Sequence, residues 1–213
     1  MKRIILKASR LALQCAVLGL MAWSMTACCG GDACRADGAK SADVVLHNMA
    51  QRKSVRHFVE GKEVSKADLE TLVKAGMAAP TARNSQPWEF YVVSSSEAKQ
   101  ELEAGLPYAK MLTQASAAIV VCGNTEYMLD GEGREYWVQD CSAATQNILL
   151  AAEAMGLGAV WTGVYPVRER VEVVRQALSL PTTHVPLCVI PVGYPTGDDQ
   201  PKDKFKADRI HWK

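Results

Sequence analysis

The 213-residue chain carries 24 lysines and arginines against 23 aspartates and glutamates, a formal net charge of +1, with 48% hydrophobic and 7% aromatic residues. A balance so close to neutral gives no reason to expect a nucleic acid or an anionic surface as partner. Beyond a leader the length is one domain's worth, enough to bury a sizeable core.

Lys2, Arg3, Lys7 and Arg10 make a positive start. The apolar run from Leu11 to Ala27, interrupted by Gln14 and Ser24, has the build of a signal-peptide hydrophobic region. It ends at Met25-Thr26-Ala27-Cys28, which resembles a bacterial lipoprotein signal: residues 1–27 would be removed and Cys28 left as the lipid-modified first residue. That would anchor the domain to a membrane on its extracytoplasmic side. An uncleaved membrane anchor is the alternative, and a cytoplasmic location follows if the signal is not functional. No second apolar stretch is long enough to cross a bilayer. Residues 28–41, with Gly30, Gly31 and Gly38 among scattered charges, read as a flexible tether, and residues 42–213 as the folded domain.

Helical spacing places Val44, Val45, Leu46 and Met49 on one face between Ala42 and Gln51. Ser65 caps a second helix, with Asp68 three places on and Leu69, Leu72, Val73 and Gly76 on its buried side, closed by Ala79-Pro80. Trp88–Val93 is aromatic and β-branched, hence a strand, and Ala117–Cys122 is a continuous apolar run that suits a strand buried on both faces. Asn124 to Arg134 is a polar, Gly-bearing excursion of the kind that covers a pocket. The longest helix runs from Trp137 to Met155, its small Ala143, Ala144, Ala151 and Ala152 allowing close approach of another helix, and Gly156-Leu157-Gly158 supplies its stop. Strands at Ala159–Val164 and Pro186–Val192 flank a helix over Val167–Leu178. The fold class is α+β, a sheet wrapped by helices.

Seven cysteines form no Cys-x-x-Cys pair and no histidine stands at ligand spacing, so a zinc site is not indicated. Cys15 lies in the leader, and Cys29 and Cys34 in the tether, where a disulfide is possible but not required. Cys122 and Cys188 sit in strand-like apolar runs as small hydrophobes, and Cys141 opens an Ala-rich helix.

Two segments carry the chemistry. Arg52, Ser54 and Arg56 alternate, so an extended backbone projects all three to one side, two guanidiniums about a hydroxyl. That suits a phosphate dianion. Spacing alone equally serves, and indeed favours, a solvated basic patch after a helix. In Pro80-Thr81-Ala82-Arg83-Asn84-Ser85-Gln86-Pro87-Trp88, the Asn84 and Gln86 amides match the donor and acceptor edge of a pyrimidine-like ring. They also suit a loop that satisfies its own backbone. Lys204 and Arg209, near His211-Trp212, either complete a phosphate pocket or are solvated tail charges. A phosphorylated planar cofactor fits both segments, with FMN the natural candidate. Tyr127, Met128, Tyr136 and Trp137 are either substrate-stacking residues or ordinary packing.

The motifs Arg52-Lys53-Ser54-Val55-Arg56, Ala79 to Trp88, Gly156 to Gly163, Gly193-Tyr194-Pro195 and Arg209-Ile210-His211-Trp212, in this order, resemble the nitroreductase family. The resemblance implies a central mixed sheet of four to five strands in an intertwined homodimer, with FMN at the subunit interface. It implies that Arg52, Ser54, Arg56 and Arg209 hold the phosphate side, with Lys53 contributing through backbone or charge and Lys204 nearby. Pro80, Thr81 and Asn84 would approach the ring from the partner subunit. Thr162, Gly163 and Val164 would pass beside it, with a backbone N–H near N5. The implied activity is ping-pong electron transfer from NAD(P)H to a nitroaromatic, quinone or similar acceptor, with no protein acid or base required. If the chain is exported, another donor such as a quinol must serve. Relatives perform reductive dehalogenation or flavin destruction, and a lipid-anchored flavin-binding protein without turnover is the reading from a different class.

Overall fold

The computed structural model describes residues 32–213. The proposed signal segment, with Cys15, Cys28 and Cys29, lies outside the described residues. The chain divides into two units, residues 1–47 and 48–213. Helix α1 spans Asp32–Gln51, so residues 32–41 are helical rather than the loose tether expected from their glycines and charges. Its expected apolar face exists, but Val44, Val45, Leu46 and Met49 are between 50% and 69% exposed.

Helix α2 (Lys66–Met77) starts where Ser65 Oγ accepts from Asp68 N–H at 3.1 Å, as the capping signal predicts. Strand β1 (Trp88–Val93) is followed by α3 (Ser96–Gly105), then β2 (Ala117–Asn124) and the long α4 (Tyr136–Ala154). The chain continues through β3 (Gly158–Ala159), β4 (Thr162–Gly163), α5 (Arg168–Ala177) and β5 (His184–Gly193). The sheet order is β1-β2-β5-β3, with β4 also paired to β5.

All of these pairings are antiparallel, which corrects the mixed sheet expected from the sequence. Strand direction is set by the connections, not by side-chain periodicity. The strand expected over Ala159–Val164 is two short pieces, because the ladder along β5 lapses at Val160 and Trp161 between Ala159↔Val192 and Thr162↔Val189.

Every residue of β2 is buried. Its alternate side chains feed two cores, which explains the absence of a polar face. Ala117, Ile119 and Val121 join Leu69 and Leu72 of α2 and Cys141, Ala144 and Ile148 of α4. Ala118, Val120 and Cys122 join Leu102 of α3 and Val171 and Val174 of α5. Helix α2 comes close to α4 where Gly76 lacks a side chain: a Cβ there would stand 3.0 Å from Ile148 Cγ1.

Cys122, Cys141 and Cys188 are free and buried. Burial pushes the Cys188 thiol up to about 12 and raises Cys122 and Cys141 as well. Thiolate is the reactive form, so at pH 8 a disulfide reagent should leave these three untouched in the native protein. All three should react once the chain is unfolded, as peptide mapping would show.

Candidate functional site

The basic segment leaves α1 without regular secondary structure and is tied to two parts of the chain. Arg52 N–H donates to Asn48 O at 3.0 Å as the helix ends, and Val55 N–H donates to Ala159 O of β3 at 3.0 Å. Further along, Val59 N–H donates to Tyr194 O at 2.8 Å and Thr196 N–H to His57 O at 3.1 Å. Val55 and Phe58 turn inward and are buried, with Val55 against Gly158. This anchoring turns the alternation of Arg52, Ser54 and Arg56 into a shared wall.

Those residues, with Lys53 and Lys204, line one cleft of about 420 Å³, closed opposite by Asp198 to Lys202. The structure thus brings together five of the residues expected to hold a phosphate. Lys53 does something else there. Its Nζ lies 2.9 and 3.1 Å from the two carboxylate oxygens of Glu153, bracing the segment to the end of α4. Among the described residues no hydrogen bond or ion pair uses the Arg52 guanidinium or the Lys202 and Lys204 ammonium groups. Asp199, which sequence reasoning missed, sits in the same cleft and accepts hydrogen bonds from the Arg56 and His57 amides. Burial pushes its carboxyl up, but the bonds from these amides and the His57 ring outweigh that and hold it below the ordinary carboxylate value. A lowered carboxyl keeps these contacts at neutral pH and loses them only as pH falls through that lowered value.

Arg56 also borders a second cavity of about 450 Å³ with Tyr108, Lys110, Trp161, Thr162 and Gly163. Tyr108 and Lys110 carry no signal in the sequence, since they lie in a connection without periodic pattern. Thr162 and Val164 are buried while Gly163 is exposed. Val164 N–H is spent on Leu187 O at 3.0 Å. Antiparallel alternation then turns the Gly163 peptide groups away from β5, and Arg170 Nη1 donates to Gly163 O at 3.2 Å. A Cβ at Gly163 would meet nothing within 4 Å. Of the three expected ring neighbours, Gly163 is therefore the one whose N–H turns away from β5.

The polar loop is strained and held from below. Arg83, Asn84 and Gln86 have φ of 52°, 56° and 48°, the left-handed region that side chains disfavour. Asp140, buried on α4, accepts Ala82 N–H at 2.9 Å, and Thr81 Oγ1 accepts Gln86 N–H at 3.1 Å. The Gln86 amide donates to Asn84 Oδ1 at 3.0 Å, so these two side chains are joined within a single copy. An acid on the buried face of an Ala-rich helix was the available signal for Asp140. Pro80, Thr81 and Asn84 line neither cavity, and one chain alone does not bring them to the basic segment.

Arg209 ends a short 3-10 turn (Ala207–Arg209), is exposed, and lines neither cavity. Trp137 is 4% exposed, with its ring edge-on to Tyr165 at 4.8 Å, and Met128 packs on the same core, so packing is the role of both. Tyr127 and Tyr136 remain exposed at 54% and 47%. Among the described residues no cluster of His, Cys, Asp and Glu forms a metal site, and no helix is long and apolar enough to cross a membrane.

Comparison with known proteins gives a concordant picture. Residues 49–106 and 98–194 match the model of the Nitroreductase family. A Methanothermobacter thermautotrophicus protein is 42% identical over 82% of this chain and 90% of its own length. A Bacteroides thetaiotaomicron crystal structure is 50% identical, covers 79% of this chain and 96% of that one, and superposes with a TM-score of 0.74. Both carry the name "Putative NADH dehydrogenase/NAD(P)H nitroreductase". A Desulfovibrio desulfuricans structure, 28% identical over 79% of this chain and 96% of that one, with a TM-score of 0.68, was solved in complex with FMN.

Proposed function

The chain belongs to the nitroreductase family, and we propose that it is an FMN-dependent oxidoreductase carrying electrons from a reduced donor to a nitroaromatic, quinone or similar small acceptor. The observation that carries the reading is the pair of cavities sharing Arg56, one also lined by Arg52, Lys202 and Lys204, whose charged groups make no bond among the described residues, and the other lined by Gly163. The residues present fit the cofactor: Arg52, Arg56, Lys202 and Lys204 supply charge for a phosphate monoester, and the absent Gly163 side chain leaves room for a flat ring. The FMN complex of the Desulfovibrio relative supports the same assignment.

FMN, when bound, would supply the hydride chemistry between donor and acceptor. Arg52, Ser54 and Arg56 would hold the phosphate, and the Gly163 N–H would offer the ring a preorganised donor that favours developing negative charge. Arg170 fixes the peptide that follows. Donor and acceptor use one face in turn, a ping-pong scheme. Pro80, Thr81 and Asn84 complete the ring site from a second copy, an assignment supported by the exposure of Pro80 and Asn84 and by the absence of all three from the lining of both cavities. The leader supports lipidation at Cys28 and an extracytoplasmic location, where a quinol or partner redox protein replaces NAD(P)H as donor.

The test is spectroscopic. Purified full-length protein should be yellow, bleach anaerobically with NAD(P)H or a quinol, and recover colour when a nitroaromatic or quinone is added. Bound flavin that no donor reduces would favour a binding protein without turnover, and colourless protein that never takes up FMN would sink the reading.

A further inference from the structure

The tail after β5 is built onto the basic segment. Residues 194–196 run antiparallel to residues 57–59, with a bridge between Phe58 and Pro195. The chain then turns at Gly197, φ +101°, while Thr196 Oγ1 donates to Asp198 Oδ2 at 2.7 Å. Asp199 Oδ2 next meets three donors: Arg56 N–H at 2.8 Å, His57 N–H at 3.2 Å and His57 Nδ1 at 3.2 Å. A carboxylate from the tail thus occupies the amide pair at the end of the phosphate wall. A few residues on, Lys202 and Lys204 line the cleft that Arg52 and Arg56 border.

We propose that Asp199 is a positioning residue for the phosphate monoester, fastening the tail to the backbone at Arg56 and His57 so that Lys202 and Lys204 are held in the cleft with Arg52 and Arg56. The inference rests on the FMN reading above. Lysine side chains on a loose tail would lose much of their attraction to the entropy of being ordered on binding, whereas a tail already fastened has met that cost on folding. The negative charge of Asp199 is offset where it lies, by two amide N–H groups and the His57 ring. The opposite arrangement makes the opposite prediction: if the ligand phosphate used those amides, removing the carboxylate would tighten binding.

The test compares FMN with riboflavin, which lacks the phosphate, on full-length protein stripped of flavin. In Asp199→Ala, FMN affinity should fall on the order of ten-fold or more, while riboflavin affinity stays at the wild-type level. Asp199→Asn keeps a carbonyl oxygen for both amides and should recover part of the FMN loss. Equal or tighter FMN binding by Asp199→Ala would overturn the proposal, as would losses of the same size for FMN and riboflavin. Wild-type protein that binds neither flavin would remove the FMN reading itself, and this inference with it. Wild-type binding of FMN that both Asp199 variants share unchanged would remove the Asp199 role alone.

Discussion

Arg52→Ala is expected to weaken FMN binding about 10- to 100-fold, because each charge-assisted hydrogen bond to a phosphate contributes on the order of 1.5–3 kcal/mol. Arg52 lines the cationic cleft, and its guanidinium has no partner among the described residues. Its loss therefore removes attraction for the ligand without orphaning a protein group. Lys53 makes an informative contrast: its ammonium is already paired with Glu153, so Lys53→Ala should act more on stability than on FMN. Arg209→Ala should weaken FMN retention in the same direction if the tail arginine reaches the phosphate as the family resemblance implies. Fluorescence titration of the stripped protein measures all three. Unchanged affinity in both arginine variants would mean the phosphate binds elsewhere.

Gly158→Ala should damage both fold and site. The new Cβ would lie 2.6 Å from Val55 Cγ1, 2.9 Å from Val55 Cβ and 3.2 Å from Phe58 Cε1. Val55 Cβ cannot swing aside by rotamer change, and its backbone N–H is tied to Ala159 O. The basic segment must then shift as a body. Overpacking of this kind costs typically about 1–3 kcal/mol. The cost should appear as a lower urea midpoint with an unchanged slope, together with weaker FMN binding because Ser54 and Arg56 flank the displaced residue. An unaltered midpoint would show that the segment has slack the geometry does not suggest.

Much of this architecture is legible in the residues alone. β1, β2, β5 and the long α4 declare themselves because each buries a stretch whose composition or period suits one element. The cap on α2 is visible as Ser65 and Asp68. The helix α3 is hidden although Ser95 caps it, accepting Ala98 N–H at 3.1 Å, because its buried residues are only Leu102 and Lys99, whose ammonium donates to Ala115 O at 2.7 Å, and no apolar stripe results. In sequence Gly158 groups with Gly156 as a helix stop. Gly156 fills that role at φ +69°, while Gly158 is there for the close approach of Val55.

The site is legible in part for a similar reason. Arg52, Ser54, Arg56 and Lys204 share a cleft, but neither alternation nor charge could show that segments 143 residues apart meet there, as Arg56 and Asp199 do. Asp199 and Asp140 act on backbone amides of distant loops, and an acidic residue that receives N–H groups looks in sequence like any solvated one. The direction of the strands was hidden because connections, not patterns, determine it.

The lacing of residues 55–59 between β3 and the tail has a consequence for biogenesis. Its two borders come from residue 159 and from residues 194–199, both made long after the segment itself leaves the ribosome. A nascent chain halted anywhere before residue 204 has the arginines but not the complete opposing wall. Ligand capture in that cleft must therefore follow synthesis of the tail rather than guide the early folding of the segments before it.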